Sequence, residues 1–154
     1  MVLDRPDLSL KSCPMNLHQS DLICQRLQRL LTVMGDSDVN AILTSNPINI
    51  LYATGARNMT VFSLMGPFRF ALVVVNGPVV LWEFTGCEHL VADNPVITDV
   101  RSAPGISPIW GTTYTAEVER FIGEVKVLLG DDKRLAIEGF DMPIKIKIGD
   151  KIKE

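Results

Sequence analysis

Residues 69–84 read RFALVVVNGPVVLWEF, two apolar runs rich in β-formers on either side of Asn76-Gly77-Pro78. An Asn-Gly pair between such runs is the strongest short-range hairpin signal, because both residues accept the positive φ of a tight turn; Pro78 removes one donor just beyond. The run ALVVV has almost no polar alternation, so this hairpin needs cover on both faces. Two segments can supply it. SDLICQRLQRLLTVMG (20–35) sets Ile23, Leu27, Leu30, Leu31 and Met34 at i, i+4, i+7, i+8 and i+11. TAEVERFIGEVKVLLG (115–130) sets Val118, Phe121, Ile122, Val125, Leu128 and Leu129 at i, i+3, i+4, i+7, i+10 and i+11. Each spacing predicts a helix with a single apolar stripe. Helices on both faces of a sheet that contains a hairpin define an α/β fold of three layers with a mixed sheet.

The remaining segments fit around these. Ser20 is placed to cap the first helix, Asp21 to favour its positive end, and Gly35 to stop it in a left-handed conformation. VNAILTS (39–45) reads as a short buried strand. In NPINILYATGARNMT (46–60), Asn46 is an N-cap and Pro47 takes the first helical position; the helix INILYAT would bury Ile48, Leu51 and Tyr52 and end at Gly55. A short helix over GCEHLVAD (86–93), a strand over VITDVRS (96–102), a loop APGISPIWG (103–111) and a strand RLAIEG (134–139) follow, with Thr115 and Glu117 suited to the start of the second long helix. The organisation expected is an N-terminal arm (1–19), one α/β domain (20–140) and a truncated or atypical tail (141–154). Up to Pro143 the chain uses eight Arg and three Lys, whereas KIKIGDKIKE (145–154) uses four Lys and no Arg, alternating with Ile. One reading of that tail is an amphipathic edge strand or solvated end. The other is an authentic sequence interrupted near Pro143, by an artificial boundary or a shifted frame.

Composition narrows the function. With 154 residues, 47% of them hydrophobic, the chain can bury one core. A net charge of -3 and the lack of a Lys/Arg run to release counterions argue against nucleic acid as partner. Cys13, Cys24 and Cys87 are odd in number and share no metal-ligand spacing, which suits a reducing, cytoplasmic compartment. Acids and prolines stand at the N-terminus where a signal peptide needs a basic start and an apolar run. The longest apolar run, from Phe70 to Val75, falls far short of the roughly 20 residues that span a bilayer.

Familiar catalytic apparatus is missing. There is no G-x-G-x-x-G after a strand, no Walker A lysine, no G-x-S-x-G and no H-E-x-x-H. The two histidines, His18 and His89, could pair with Cys24 and Cys87, but residues two apart on a helix point to different faces, and ordinary helix residues are the simpler account. The acids sit mostly at helix starts (Asp21, Glu117) and turns (Asp36, Asp38, Asp131, Asp132), where capping and solvation explain them. Trp82 belongs to a strand and its core; Trp110, in the Pro/Gly loop, is equally a packing residue or a contact surface. Arg57 is a cation in a loop with no sequence partner nearby. It is a solvated charge or a ligand-binding one, and Arg69 at the hairpin start is a weaker candidate of the same kind.

The order of elements, together with NPINILYATG, resembles the N-terminal domain of the creatinase, prolidase and aminopeptidase P superfamily. There a helix with RL pairs, here RLQRLLTVM, precedes a strand and an Asn-x-x-Tyr-x-(Thr/Ser)-Gly signature, here Asn49, Tyr52, Thr54 and Gly55. The likeness runs from about Leu22 to Glu138. RNM (57–59), GPFR (66–69) and LWEF (81–84) are similar to the branch with dimethylsulfoniopropionate lyase and Xaa-Pro peptidase-like proteins. The resemblance implies a ribonuclease H-like three-layer domain that is itself non-catalytic, serves dimerisation and covers the neighbour's active site. Arg57, Asn58, Arg69 and Trp110 would then contact substrate in trans. It also implies a separate catalytic domain whose two Asp, one His and two Glu hold a divalent metal pair. None of those ligands matches a position here, so this chain alone would hold no cofactor and perform no catalysis, while the parent would be a metal-dependent Xaa-Pro peptidase-like hydrolase or a related lyase. The alternative is a stand-alone α/β module for binding or self-assembly.

Overall fold

The computed structural model describes residues 19–59, 68–105, 114–139 and 142–153. In chain order the elements are α1 (Gln19–Asp36), β1 (Ala41–Thr44), α2 (Pro47–Thr54), β2 (Phe70–Val74), β3 (Val79–Glu83), a 3-10 turn (Glu88–Val91), β4 (Asp99–Ser102), α3 (Tyr114–Leu129), β5 (Leu135–Glu138) and α4 (Met142–Lys153). The Asn-Gly hairpin forms with Phe70 opposite Trp82 and Val73 opposite Val79. Asn76 takes φ 58°, and Val74 N donates to the Pro78 carbonyl at 3.1 Å. The ladder uses the oxygen of Pro78, so its missing N–H costs nothing there.

The five strands run in the order β4-β3-β2-β1-β5. β2 is antiparallel to β1 and β3, while β1 with β5 and β3 with β4 are parallel. The sheet is therefore mixed, and β1, β3, β4 and β5 end on one common edge, where β2 begins. Every residue of β2 and β3 is buried, as the unbroken apolar runs require. Alternation divides them between two layers. Phe70, Leu72, Val74, Val80 and Trp82 face α3 and α4, packing on Val118, Phe121, Val125, Ile148 and Ile152. Val73 and Val79 face Ile23, Leu27 and Met34 of α1, and Ala71 and Leu81 face Ile50 beside α2. Phe121 stacks on Phe70 and Trp82 at centroid distances of 4.9 and 5.0 Å, and the Trp82 indole donates to Glu124 Oε2 at 2.7 Å.

Three local expectations are corrected. Ser20 lies inside α1, which begins at Gln19. The left-handed stop of α1 is Asp38 (φ 57°) rather than Gly35: Val39 N reaches back to Met34 O at 3.0 Å, the 6→1 bond of a Schellman end, which carries the helix past the glycine. Asp38 tolerates φ > 0 as short polar residues do, and its carboxylate is held by Arg134, which also bonds Asp132 and keeps that carboxyl below the usual carboxylate range. The tail is a helix, neither edge strand nor solvated end. Lys-Ile alternation hides an i, i+4 pair, Ile148 and Ile152, and both are buried against the α3 layer. APGISPIWG beyond Gly105, the arm before Gln19, and with them Trp110, His18 and Cys13, lie outside the described residues.

Gly139 has φ 85°, and a Cβ there would meet Asn46 N at 2.6 Å and Ser45 Oγ at 2.8 Å. Gly123, inside α3, has nothing within 4 Å. Urea denaturation should therefore show Gly139→Ala destabilised by about 2 kcal/mol or more and Gly123→Ala stabilised by up to about 1 kcal/mol.

Candidate functional site

The polar residues of the domain gather at the edge where β1, β3 and β5 end. Asn46 caps α2 as its sequence position predicts: its side chain accepts from Ile48 N at 2.9 Å, and Pro47 follows. The cap is itself held by β5, because Asn46 Nδ2 donates to Glu138 Oε1 at 3.0 Å while Thr44 Oγ1 donates to Oε2. At the other end Gly55 takes φ 72° and its N–H closes on Leu51 O at 2.9 Å, the left-handed stop expected of it. Thr54 Oγ1, buried, donates to Ile50 O at 2.7 Å and accepts from Ala56 N at 3.1 Å. Asn94 Nδ2 donates to Thr54 O at 2.8 Å from beyond the 3-10 turn.

The face that α2 buries is not the one read from its apolar residues. Ile50, Ala53 and Thr54 point inward, whereas Ile48 and Tyr52 are 65% and 40% exposed. Ile50 fills the core beneath the sheet residues Ala71 and Leu81, while the end of α2 that meets α1 has room only for short residues: a Cβ on Gly55 would stand 2.4 Å from Ile23 Cδ1. Of the signature residues, Thr54 and Gly55 are thus structural, while Asn49 is exposed and Tyr52 lies under the Arg26 guanidinium, 5.8 Å from the ring centroid.

The loop after Gly55 is anchored from the sheet. Arg69 and Glu83 are 2% and 0% exposed and share a paired contact, Nε to Oε1 at 2.8 Å and Nη2 to Oε2 at 2.6 Å. Glu83 Oε1 also accepts from Asn58 Nδ2 at 3.1 Å and from Phe84 N at 2.9 Å. Glu83 is the residue that sequence reasoning missed. Its signal was the turn: a hairpin closing at Asn76-Gly77 that sets Phe70 against Trp82 sets Arg69 against Glu83 one step on.

Arg57 emerges from this anchored loop exposed, with no ion pair or hydrogen bond to any described residue. It lines two hollows. One, of about 210 Å³, is bounded by Ile48, Ala56, Asn58 and Arg69; the other, of about 330 Å³, lies toward Leu22, Arg26 and Gly55 of the α1–α2 junction. Arg57, Asn58 and Arg69 are therefore brought together, but Arg69 offers the hollow a guanidinium already neutralised by Glu83. Trp110 lies outside the described residues. Cys87 precedes the 3-10 turn and His89 lies within it, with His89 Nδ1 donating to Gly86 O at 3.1 Å instead of to a thiol. Among the described residues no three His, Cys, Asp or Glu side chains converge to hold a metal ion.

The mixed five-stranded sheet has counterparts among solved proteins. The fold superposes on a solved Xaa-Pro aminopeptidase from Streptococcus pyogenes with a TM-score of 0.60 at 19% identity, covering 86% of this chain and 87% of that one. A creatinase/prolidase-like N-terminal domain of a Corynebacterium diphtheriae metallopeptidase overlaps more loosely, with a TM-score of 0.42 at 11% identity over 76% of this chain and 94% of that one. In sequence the chain is similar to the dimethylsulfoniopropionate lyase DddP of Roseovarius nubinhibens, 30% identical over 73% of this chain and 26% of that protein. DddP of Roseobacter denitrificans is 29% identical over 63% of this chain and 23% of that protein. The chain thus spans about a quarter of the length of the curated relatives it matches. No family model matches it.

Removing one member of a buried ion pair strands the other, whereas replacing both with apolar residues is far less costly. Arg69→Met alone should lose about 3–5 kcal/mol in urea denaturation. Adding Glu83→Leu should recover most of that, yet hydrogen exchange at residues 56–59 should stay faster than in the parent chain because Asn58 has lost its carboxylate.

Proposed function

We propose that this chain is the non-catalytic N-terminal domain of a longer, dimeric, cytoplasmic metal-dependent enzyme, covering the neighbouring subunit's active site and presenting Arg57 to its substrate. The supporting observation is the exposed, unpaired guanidinium of Arg57 on a loop fixed by Gly55, Asn58 and Glu83. A guanidinium offers a fork of donors that matches a carboxylate, and Lys cannot reproduce it. Dimethylsulfoniopropionate, the substrate in the names of the DddP relatives, carries a carboxylate, and so does a short peptide that begins Xaa-Pro. The DddP relatives favour the lyase chemistry, the Streptococcus pyogenes neighbour the peptidase. The divalent metal pair belongs, in this reading, to a catalytic domain beyond these residues and supplies the activation of water or substrate. The chain's own part is to close the site, exclude water and orient the carboxylate. Asn58 fixes the backbone next to Arg57, and Ile48 and Met59, both exposed, give the loop an apolar margin for the neighbour.

In the longer protein, Arg57→Ala should leave folding within about 0.5 kcal/mol, since exposed loop changes cost little. It should lower kcat/KM at least about tenfold, roughly 1.4 kcal/mol of lost interaction, with Arg57→Lys recovering part. Steady-state assays with dimethylsulfoniopropionate and with Xaa-Pro dipeptides separate lyase from peptidase. Action in trans is read from mixed dimers: Arg57→Ala protomers combined with protomers inactivated in the catalytic domain should exceed the residual activity of the Arg57→Ala homodimer per intact catalytic site. Mixed dimers with no more activity per intact site than that homodimer would overturn the arrangement.

A further inference from the structure

The arginines of the domain fall into two groups. Arg69, Arg101, Arg120 and Arg134 are each bound to a carboxylate. Arg26, Arg29 and Arg57 make no ion pair with any described residue, and Arg26 and Arg29 share one flank of α1. That flank continues in both directions with apolar residues left in water. Leu22, Arg26, Arg29 and Val33 stand at i, i+4, i+7 and i+11, with Leu22 44% and Val33 60% exposed. The stripe is about 16 Å long at 1.5 Å per residue. Tyr52 of α2 supports Arg26 from the side, and the 330 Å³ hollow opens beside Leu22 at one end. Asp21 and Asp36 lie near the two ends of the helix, and neither neutralises the pair.

We infer that this flank of α1 is a docking surface for an acidic amphipathic helix of another polypeptide, one whose own stripe reads apolar, carboxylate, carboxylate, apolar over the same length. Charge complementarity decides the occupant. Two uncompensated guanidinium groups one turn apart repel each other and gain most from two carboxylates at the same spacing, each taken in a charge-assisted contact. A second copy of this chain docked flank to flank fits badly, because a two-fold pairing that sets Leu22 against Val33 also sets Arg26 against Arg29. A nucleic acid would meet the cations but leave Leu22 and Val33 wet. The surface meets Arg57 at the shared hollow, but its test does not depend on the role proposed for Arg57.

The test uses the 154-residue chain and a fluorescein-labelled synthetic helix carrying Leu, Glu, Glu and Leu at i, i+4, i+7 and i+11. Fluorescence anisotropy should rise saturably and the affinity should fall as salt is added. Arg26→Glu with Arg29→Glu should weaken it at least about tenfold. The same variant should regain binding to a helix with Lys in place of both Glu residues, which also shows that the variant is folded. Three results would overturn the inference: no saturable binding to the wild-type chain, equal binding of a Glu helix that lacks both Leu residues, or no recovery on exchanging the charges in a variant with an unaltered thermal transition. Sedimentation that shows self-association lost in Arg26→Glu/Arg29→Glu would replace the acidic helix with a second copy as occupant.

Discussion

Arg69 and Glu83 face each other across the open end of the β2–β3 hairpin, almost fully removed from water, and the loop that follows α2 is folded around the carboxylate between them. Burying two charges is expensive, and an apolar pair of similar volume would serve stability as well. The added contacts suggest what the charge provides instead. Glu83 accepts from Arg69, Asn58 and the Phe84 amide at once, so one side chain fixes the mouth of the hairpin, the start of the following loop and the position of residues 56–59. A leucine there could fill the space without specifying the geometry. Through Asn58 the pair also links the loop that carries Arg57 to the central strands.

α2 is mounted in the same manner. Glu138 of β5 holds its N-cap, Asn94 takes the carbonyl of Thr54 near its end, and Gly55 lets α1 approach to a distance that no Cβ allows. An eight-residue helix is too short to persist by its own hydrogen bonds. Its stability is borrowed from β5, from the segment after the 3-10 turn, and from α1. The consequence is that the outer face of α2 is free of packing duty, which is why Ile48, Asn49 and Tyr52 can stand in solvent while Ala53 and Thr54 occupy the interior.

Those same facts explain what could be read in advance. The hairpin, the two long helices, the Asn46-Pro47 start and the Gly55 stop were legible because each follows from local chemistry: a turn that needs φ > 0, a 3.6-residue apolar period, a cap. The stop at Asp38 was not, since it depends on Arg134, which is distant in sequence and reaches Asp38 only because β5 pairs beside β1. The inner face of α2 was missed because residue size there answers to α1, and hydrophobicity alone chose Ile48 and Tyr52. α4 was hidden by a period of two overlying a period of four. Of the candidate site, Arg57 and Asn58 were found as loop residues, while Glu83 looked like an ordinary strand position until the hairpin register was counted outward to Arg69.

Sorting the cations by partner separates architecture from recognition more sharply than burial does. Arg101 and Arg120 meet at Glu124, which also accepts from Trp82, so that charge network locks α3 to β3 and β4. Arg134 ties the entry of β1 to the entry of β5 through Asp38 and Asp132. Each of these has a carboxylate for company, and Arg101 and Arg134 join a pair of elements besides. Arg26, Arg29 and Arg57 have neither, and they occur where Leu22, Val33, Ile48, Tyr52 and Met59 are exposed. Of the seven large apolar residues exposed among the described ones, five lie on α1, α2 and the loop after it, with Leu90 and Val127 elsewhere. The contacts proposed for Arg57 and for the α1 flank rest on that coincidence with the unpaired guanidinium groups, whereas the α3–α4 side is closed by the Phe121 cluster and the Glu124 network.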